Sequence, residues 1–307
     1  MAEAGLRIGL VGCGRWGRNI LRDLCGLGCQ VFVADPSAEA RSAALGGGAQ
    51  QAVEGADSLP AVDGVVVATP TVDHAGAILA VLERRVPVFC EKPLAADAAA
   101  ARGIAERDVG RLVYLMDKWR YHPGVQALGE IARSGSLGRV QQLRTVRVQW
   151  GQPHADVDGV WILAPHDLSI VRQILGFLPE PVHAVGDFTG DQMDGLLALL
   201  GRDPAAVIEV SSRCPKRQRS IILSCSQGVA LLADPLADHL EVWRGEAAEA
   251  LAAEPERWPI GTRMPLLLEL EHFCGFLRGG PAPLTDSAEA AEQVAVLERL
   301  RGMAARS

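Results

Sequence analysis

Short, uniformly apolar runs alternate with amphipathic stretches over the first third of the chain. Ile8-Gly9-Leu10-Val11, Val31-Phe32-Val33-Ala34, Val65-Val66-Val67-Ala68, Pro87-Val88-Phe89-Cys90 and Leu112-Val113-Tyr114-Leu115-Met116 read as buried strands. Residues 19–27, 38–45, 73–84 and 95–106 carry helical patterns between them. Strands that are apolar throughout and alternate with helices imply a parallel sheet covered on both faces. In such a sheet ligands sit at the carboxyl ends of the strands. Gly12, Asp35, Thr69, Glu91 and Lys92 all fall at such ends.

The pattern changes after residue 120. Residues 122–134 read as one helix, stopped by Ser134-Gly135-Ser136. Residues 140–150 alternate as a half-exposed strand, and a helix is predicted from Pro165 to Leu175. Strand-like segments follow at 182–188, 195–200, 206–212, 221–224, 229–233 and 240–243. Short links such as Gly201-Arg202-Asp203 and Ser226-Gln227-Gly228 suggest hairpins, hence a largely antiparallel sheet. Two helices, 263–278 and 287–302, end the chain. The Ala/Glu-rich stretch 246–256 reads as a surface helix or loop. The expected class is therefore α/β: a doubly wound domain over 1–120, then an α/β domain with a largely antiparallel open sheet over 121–307.

Composition narrows the function classes. A chain of 307 residues allows about two domains. The net charge of −7 argues against a nucleic-acid partner. The cluster Lys216-Arg217-Gln218-Arg219 reads as a solvated turn. No apolar run approaches the ~18 residues of a membrane span, and the first residues lack a secretory pattern. Seven cysteines with no C-x-x-C pair read as reduced thiols in a cytoplasmic protein, with no metal site. Only Lys92, Lys118 and Lys216 are lysines in a chain that otherwise uses arginine. Arginine does not give up its proton near neutral pH, so a retained lysine is a candidate for proton chemistry.

The densest signal is Gly12-Cys13-Gly14-Arg15-Trp16-Gly17, set between a strand and a helix. Gly12 allows the tight turn, Gly14 lets the backbone approach a pyrophosphate, and Gly17 lets the helix pack on the strand. The open N–H groups of the helix start then hold phosphates. Asp35 ends the second strand, where an acid hydrogen-bonds the adenosine ribose and favours NAD. Ser37 and Arg41 lie nearby and leave NADP open. Lys92, in Glu91-Lys92-Pro93, follows a strand on the nicotinamide side and could exchange a proton with a substrate hydroxyl or carbonyl. The proline after it fixes the local backbone and is a candidate cis residue. His166 suits general acid/base work near neutrality. Asp167, read as a first-turn residue, is favoured there by the helix dipole and is also a catalytic candidate.

Together these segments resemble the Gfo/Idh/MocA oxidoreductase family over nearly the whole chain. The resemblance rests on GCGRWG at 12–17, ATPTVDH at 68–74, EKP at 91–93, RYHPGV at 120–125, LAPHDLSI at 163–170 and PLTD at 283–286. It implies a Rossmann domain, then an α/β domain whose open sheet commonly mediates homodimers or homotetramers. It implies Lys92 near the nicotinamide and His166 as acid/base. Arg15, Trp16, Thr69, Pro70, His74 and Glu91 become cofactor-binding candidates. Tyr121, Trp161 and Asp167 join Lys92 as substrate-binding candidates. The implied substrates are sugars, inositols or nucleotide-linked sugars, and no membrane partner is implied. One departure stands out. Many members carry an aspartate four residues before the histidine, and here that position is Ile162. Tyr121 or Asp167 is expected to take its role, or Lys92 with His166 to suffice. A non-catalytic dinucleotide-binding sensor of the same fold is the second reading.

Overall fold

The computed structural model describes residues 5–152, 156–245 and 254–305. The chain divides into two compact units, 1–118 with 266–294 and 119–265 with 295–307. In the first, β1 (Arg7–Val11), α1 (Gly17–Gly26), β2 (Gln30–Ala34), α2 (Ala38–Gly46), β3 (Gln51–Val53), β4 (Gly64–Val67), α3 (His74–Leu82), β5 (Val88–Glu91), α4 (Ala98–Arg107) and β6 (Val113–Met116) follow in turn. The strands form one sheet in the order β3-β2-β1-β4-β5-β6. Every neighbouring pair in it is parallel. The strand order reverses at β1, so the crevice beside β1 and β4 is where ligands bind in such sheets. α2 and α4 start where the sequence offers a side-chain oxygen to an orphan N–H. Ser37 Oγ accepts from Ala40 N at 3.2 Å, and Asp97 Oδ1 accepts from Ala100 N at 2.7 Å. β3 is too short for a periodic pattern to betray it.

The second unit contains α5 (Pro123–Ser134), β7 (Val140–Trp150), α6 (Gly159–Leu175), β8 (Pro181–Thr189), β9 (Gln192–Leu200), β10 (Ala205–Ser211), β11 (Arg213–Cys225), β12 (Gly228–Leu232), β13 (His239–Arg244) and β14 (Glu256–Pro259). The strands make a sheet in the order β14-β13-β12-β11-β7-β10-β9-β8. It is antiparallel except for the pair β7–β10. Two sequence expectations are corrected here. α6 begins at Gly159, six residues before Pro165, with Asp158 Oδ1 accepting from Trp161 N at 3.1 Å as its cap. Pro165 removes one backbone hydrogen bond inside the helix. The helix is buried on nearly every side, so packing outweighs that loss. The cluster 216–219 is not a turn either. It lies within β11, whose pairing with β7 puts Arg219 opposite Arg147. Residues 246–253 of the Ala/Glu-rich stretch lie outside the described residues, and 256 begins β14.

The chain then returns to the first unit through α7 (Pro265–Leu277) and the opening of α8 (Ser287–Ala304). A single division near residue 120 therefore does not separate the units: Leu266–Val294 belongs with the first. The reason is the apolar face of α7. Leu270, Phe273 and Cys274 join the core of Ile8, Leu10, Val66 and Phe89, and the Phe273 ring stacks on Phe89 at 4.8 Å. Before α8, Thr285 O accepts from Leu115 N at 2.9 Å, so the segment at 283–286 is fastened alongside β6. No helix among the described residues is long and apolar enough to cross a membrane.

Candidate active site

The glycine turn closes over the end of β1. Gly12 has φ of +89°, and a Cβ there would lie 2.7 Å from the Ala68 carbonyl. Only glycine fits both demands. A Cβ on Gly17 would lie 2.3 Å from Gly12 O, so α1 starts in direct contact with the turn. Gly14 is different, because a Cβ there would meet nothing within 4 Å. It lies at the head of α1, where the helix dipole favours an anion. Gly14, Arg15 and Trp16 are exposed.

Asp35 is held from two sides. Oδ2 accepts from Cys13 N at 2.7 Å and Oδ1 from Ser37 N at 2.9 Å. Each oxygen keeps acceptor capacity for a ribose hydroxyl. Burial, and then the Asp35 charge, push the Cys13 thiol up. Arg41 donates through Nη1 to Asp35 O at 2.8 Å and Pro36 O at 2.9 Å. Its Nη1 is thereby engaged by backbone carbonyls, and the Ser37 hydroxyl caps α2. The open backbone at Gly14 beside a fixed carboxylate fits a dinucleotide.

A second cluster forms at the ends of β4, β5 and β6. Thr69 is half-buried and Pro70 exposed after β4. His74 is 1% exposed, with Nδ1 2.7 Å from Pro93 O and Nε2 3.0 Å from Thr69 O. Burial pushes this ring below the usual histidine range, and its contacts with the Pro93 and Thr69 carbonyls oppose that. Both ring nitrogens face protein carbonyls, so His74 ties the Thr69 loop to Pro93. Glu91 is more telling. The Trp16 indole donates to Glu91 Oε1, and Lys92 N donates to Oε2 at 3.2 Å. The carboxylate of the EKP segment thus grips the glycine turn. The Lys92–Pro93 peptide is cis. Lys118 Nζ lies 4.4 Å from the centre of the Trp16 ring, on its face.

Within the second unit, His166 lies mid-helix on α6 and is half-buried, with the Trp119 ring 6.4 Å away edge-on. Asp167 is 1% exposed and accepts from Arg147 Nε at 2.6 Å. Burial pushes its carboxyl up, and the Arg147 guanidinium pulls it back. One expectation is corrected by the start of α6 at Gly159. Asp167 is not in a first helical turn, so the helix dipole is not its explanation. Its carboxylate is turned to Arg147, a contact made within the protein. Trp161 also serves the protein: it packs against Arg301, 5.6 Å from guanidinium to ring centre, beside the Asp158 cap. Tyr121 is buried in the short helical segment Lys118–Tyr121. Lys92 belongs to the first unit and His166 to the second.

Sequence reasoning missed Arg147, Trp119, Arg219 and Glu269. Arg147 lies over Trp119 at 4.4 Å, and with Asp167 and Arg219 they line a small cavity. Burial, and then the Arg147 charge, lower Arg219 to about 10. Arg147 sits at an inward position of an alternating strand, a faint signal. Lys118 carried a stronger one, as one of three lysines.

Residues 6–111 match a family described as GFO_IDH_MocA, "Oxidoreductase family, NAD-binding Rossmann fold". The chain is 32% identical over 57% of its length to inositol 2-dehydrogenase 4 of Saccharopolyspora erythraea, covering 56% of that protein. It spans about half the length of the curated relatives it matches most strongly. Its fold is similar to UDP-N-acetylglucosamine 3-dehydrogenase of Acidithiobacillus ferrooxidans, with TM-score 0.85, 24% identity and 97% of each chain covered. It is also similar to a levoglucosan dehydrogenase in complex with NADH, with TM-score 0.85, 17% identity, and 98% of this chain and 97% of that one covered.

Proposed function

We propose that this chain, which belongs to the Gfo/Idh/MocA oxidoreductase family, is an NAD-dependent dehydrogenase or reductase acting on a CH–OH carbon of a sugar, an inositol or a nucleotide-linked sugar. The carrying observation is the open backbone at Gly14 beside the fixed Asp35 carboxylate, with Lys92 at the end of β5. The inositol and nucleotide-sugar dehydrogenases among the similar proteins support the substrate class. When bound, the nicotinamide accepts or supplies the hydride. Gly14 and the head of α1 receive the pyrophosphate, and Asp35 receives the ribose. Asp35 would repel a 2′-phosphate, so NAD is preferred over NADP. Lys92 exchanges the hydroxyl proton, with His166 as a second acid/base. We assign homo-oligomer formation to the eight-stranded sheet, where Val185 and Leu197 pair across β8 and β9 and both are about half exposed. Light scattering on Leu197→Glu tests that assignment, and an unchanged mass would refute it.

The test of function is turnover and binding on a panel of sugars, inositols and UDP-sugars with NAD and NADP. Lys92→Ala should lose ~10²–10⁴-fold in turnover, and Lys92→Arg nearly as much, because arginine keeps its proton. Gly14→Val should fold, given the space at that position, and lose NADH binding by calorimetry. Tight NAD binding with no turnover on the panel favours the sensor reading, whereas full turnover in Lys92→Ala would remove Lys92 from the chemical step.

A further inference from the structure

Glu269 is a titratable group that the proposed reaction does not use. It is 0% exposed on α7, and neither of its side-chain oxygens has a hydrogen-bond partner among the described residues. Buried polar groups in folded proteins are nearly always hydrogen-bonded, which sets Glu269 apart.

Its place follows from the packing of α7 on β5. Phe273 stacks on Phe89 with 17° between the ring planes. Four helical residues rise ~6 Å, and two strand residues rise ~6.6 Å. The other end of α7 lies at the start of β4, where a Cβ on Gly64 would sit 3.0 Å from Leu277 and Phe273. The helix therefore runs against the strand direction, and Glu269, one turn before Phe273, comes level with Glu91, two residues after Phe89. Glu91 is the carboxylate that accepts from the Trp16 indole. The β5–β6 pairing aligns Glu91 with Met116, which brings the chain just beyond β6 alongside. There Asp117 and Lys118 also act on Glu269. Asp117 Oδ2 is held by Gln293 Nε2 at 2.9 Å and Thr285 Oγ1 at 3.3 Å. Lys118 lies on the face of Trp16. Burial first, and then the Glu91 charge, push the Glu269 carboxyl well above the usual carboxylate range, with Lys118 opposing.

We propose that Glu269 is a positioning residue of the dinucleotide site: as a neutral carboxylic acid on α7, it leaves Glu91 free to keep the negative charge that grips Trp16 of the glycine turn. The role rests on the dinucleotide reading given above. Ionising Glu269 would set a second anion against Glu91 in a dry interior, where like charges repel strongly. Glu91 would then leave the indole, and the Arg15–Trp16 turn would lose its anchor.

The experiment uses the intact chain as wild type, Glu269→Gln and Trp16→Phe. Infrared difference spectra without dinucleotide, wild type against Glu269→Gln, should show a carboxylic-acid C=O band at neutral pH that the variant lacks. Raising the pH should remove that band. The Trp16 emission, isolated by difference from Trp16→Phe, should change over the same range. NADH affinity by calorimetry should fall about tenfold, the size of one misplaced charge-assisted contact. Glu269→Gln is neutral at every pH. It should bind NADH within about twofold of wild type at neutral pH and keep that affinity when alkaline. No Glu269-dependent band, a band and affinity that do not change with pH, or a variant whose affinity curve superimposes on wild type overturns the proposal. A titrating band that Trp16 follows, in a wild-type protein that binds no NADH at any pH, overturns the dinucleotide reading instead and takes this role with it.

Discussion

Asp167 in the second unit and Glu269 in the first are both buried carboxyl groups, and they meet that condition in opposite ways. Asp167 has a guanidinium 2.6 Å away, and Arg147 is itself 3% exposed along its side chain. Glu269 has no hydrogen-bond partner among the described residues and a carboxylate neighbour in Glu91. An isolated charge in an apolar interior is costly enough that a group either pairs or neutralises. Asp167 pairs, while burial and the Glu91 charge push the Glu269 carboxyl up, toward its neutral form. The comparison teaches that burial alone does not set the role of an acid. A paired acid locks its surroundings, whereas a neutral one can respond to pH.

The pair should be the more fragile of the two. Asp167→Ala leaves Arg147 buried without its carboxylate and should cost about 3–5 kcal/mol of stability in urea titration. A loss below ~1 kcal/mol would mean that the pair is not the structural centre of its unit. Replacing both partners, Asp167→Leu with Arg147→Met, should recover most of that loss, because the desolvation of two charges disappears with their attraction. If the double variant were as unstable as the single one, Arg147 would have a second essential partner.

Glu269→Gln should show a smaller and pH-dependent effect. Above about 4.5 the unfolded chain releases the proton that the native state keeps. Wild-type stability from this group is therefore fully present below that pH and is lost as pH rises through the native value. Relative to wild type, the glutamine variant should gain stability with rising pH, by at most ~1.4 kcal/mol for each pH unit. A difference that does not vary with pH would place Glu269 with Asp167 as an ionised residue. The smallest effect is expected from Trp16→Phe. It removes the indole donor to Glu91 and should weaken NADH binding by ~3–10-fold in calorimetry. An unchanged affinity would disconnect the Glu91 cluster from the dinucleotide.

Legibility differed between the two units for the same reason. The glycine turn, Asp35 and Lys92 follow strands whose identity local patterning reveals, and in a parallel sheet that places them at one edge. The α6 start was misread because Pro165 is a strong local signal, yet packing on nearly every side overrode it. That error moved Asp167 from a helix terminus, where it would meet the dipole, to the interior, where it meets Arg147. His74 stood in a cofactor-half motif, and only its carbonyl contacts with Thr69 and Pro93 assign it to holding two loops together.

The amino-acid sequence by itself determined the alternating order of the first unit, the tight turn at Gly12 and the acid that ends β2. Each depends on residues a few positions apart, through backbone freedom, periodicity and the reach of a short side chain. Tertiary structure alone decided that Leu266–Val294 returns to the first unit, that Arg147 neutralises Asp167, and that Glu269 comes to rest level with Glu91. Those outcomes depend on partners distant along the chain, and the energy of a buried charge is set by whichever group packing brings within a few ångströms of it.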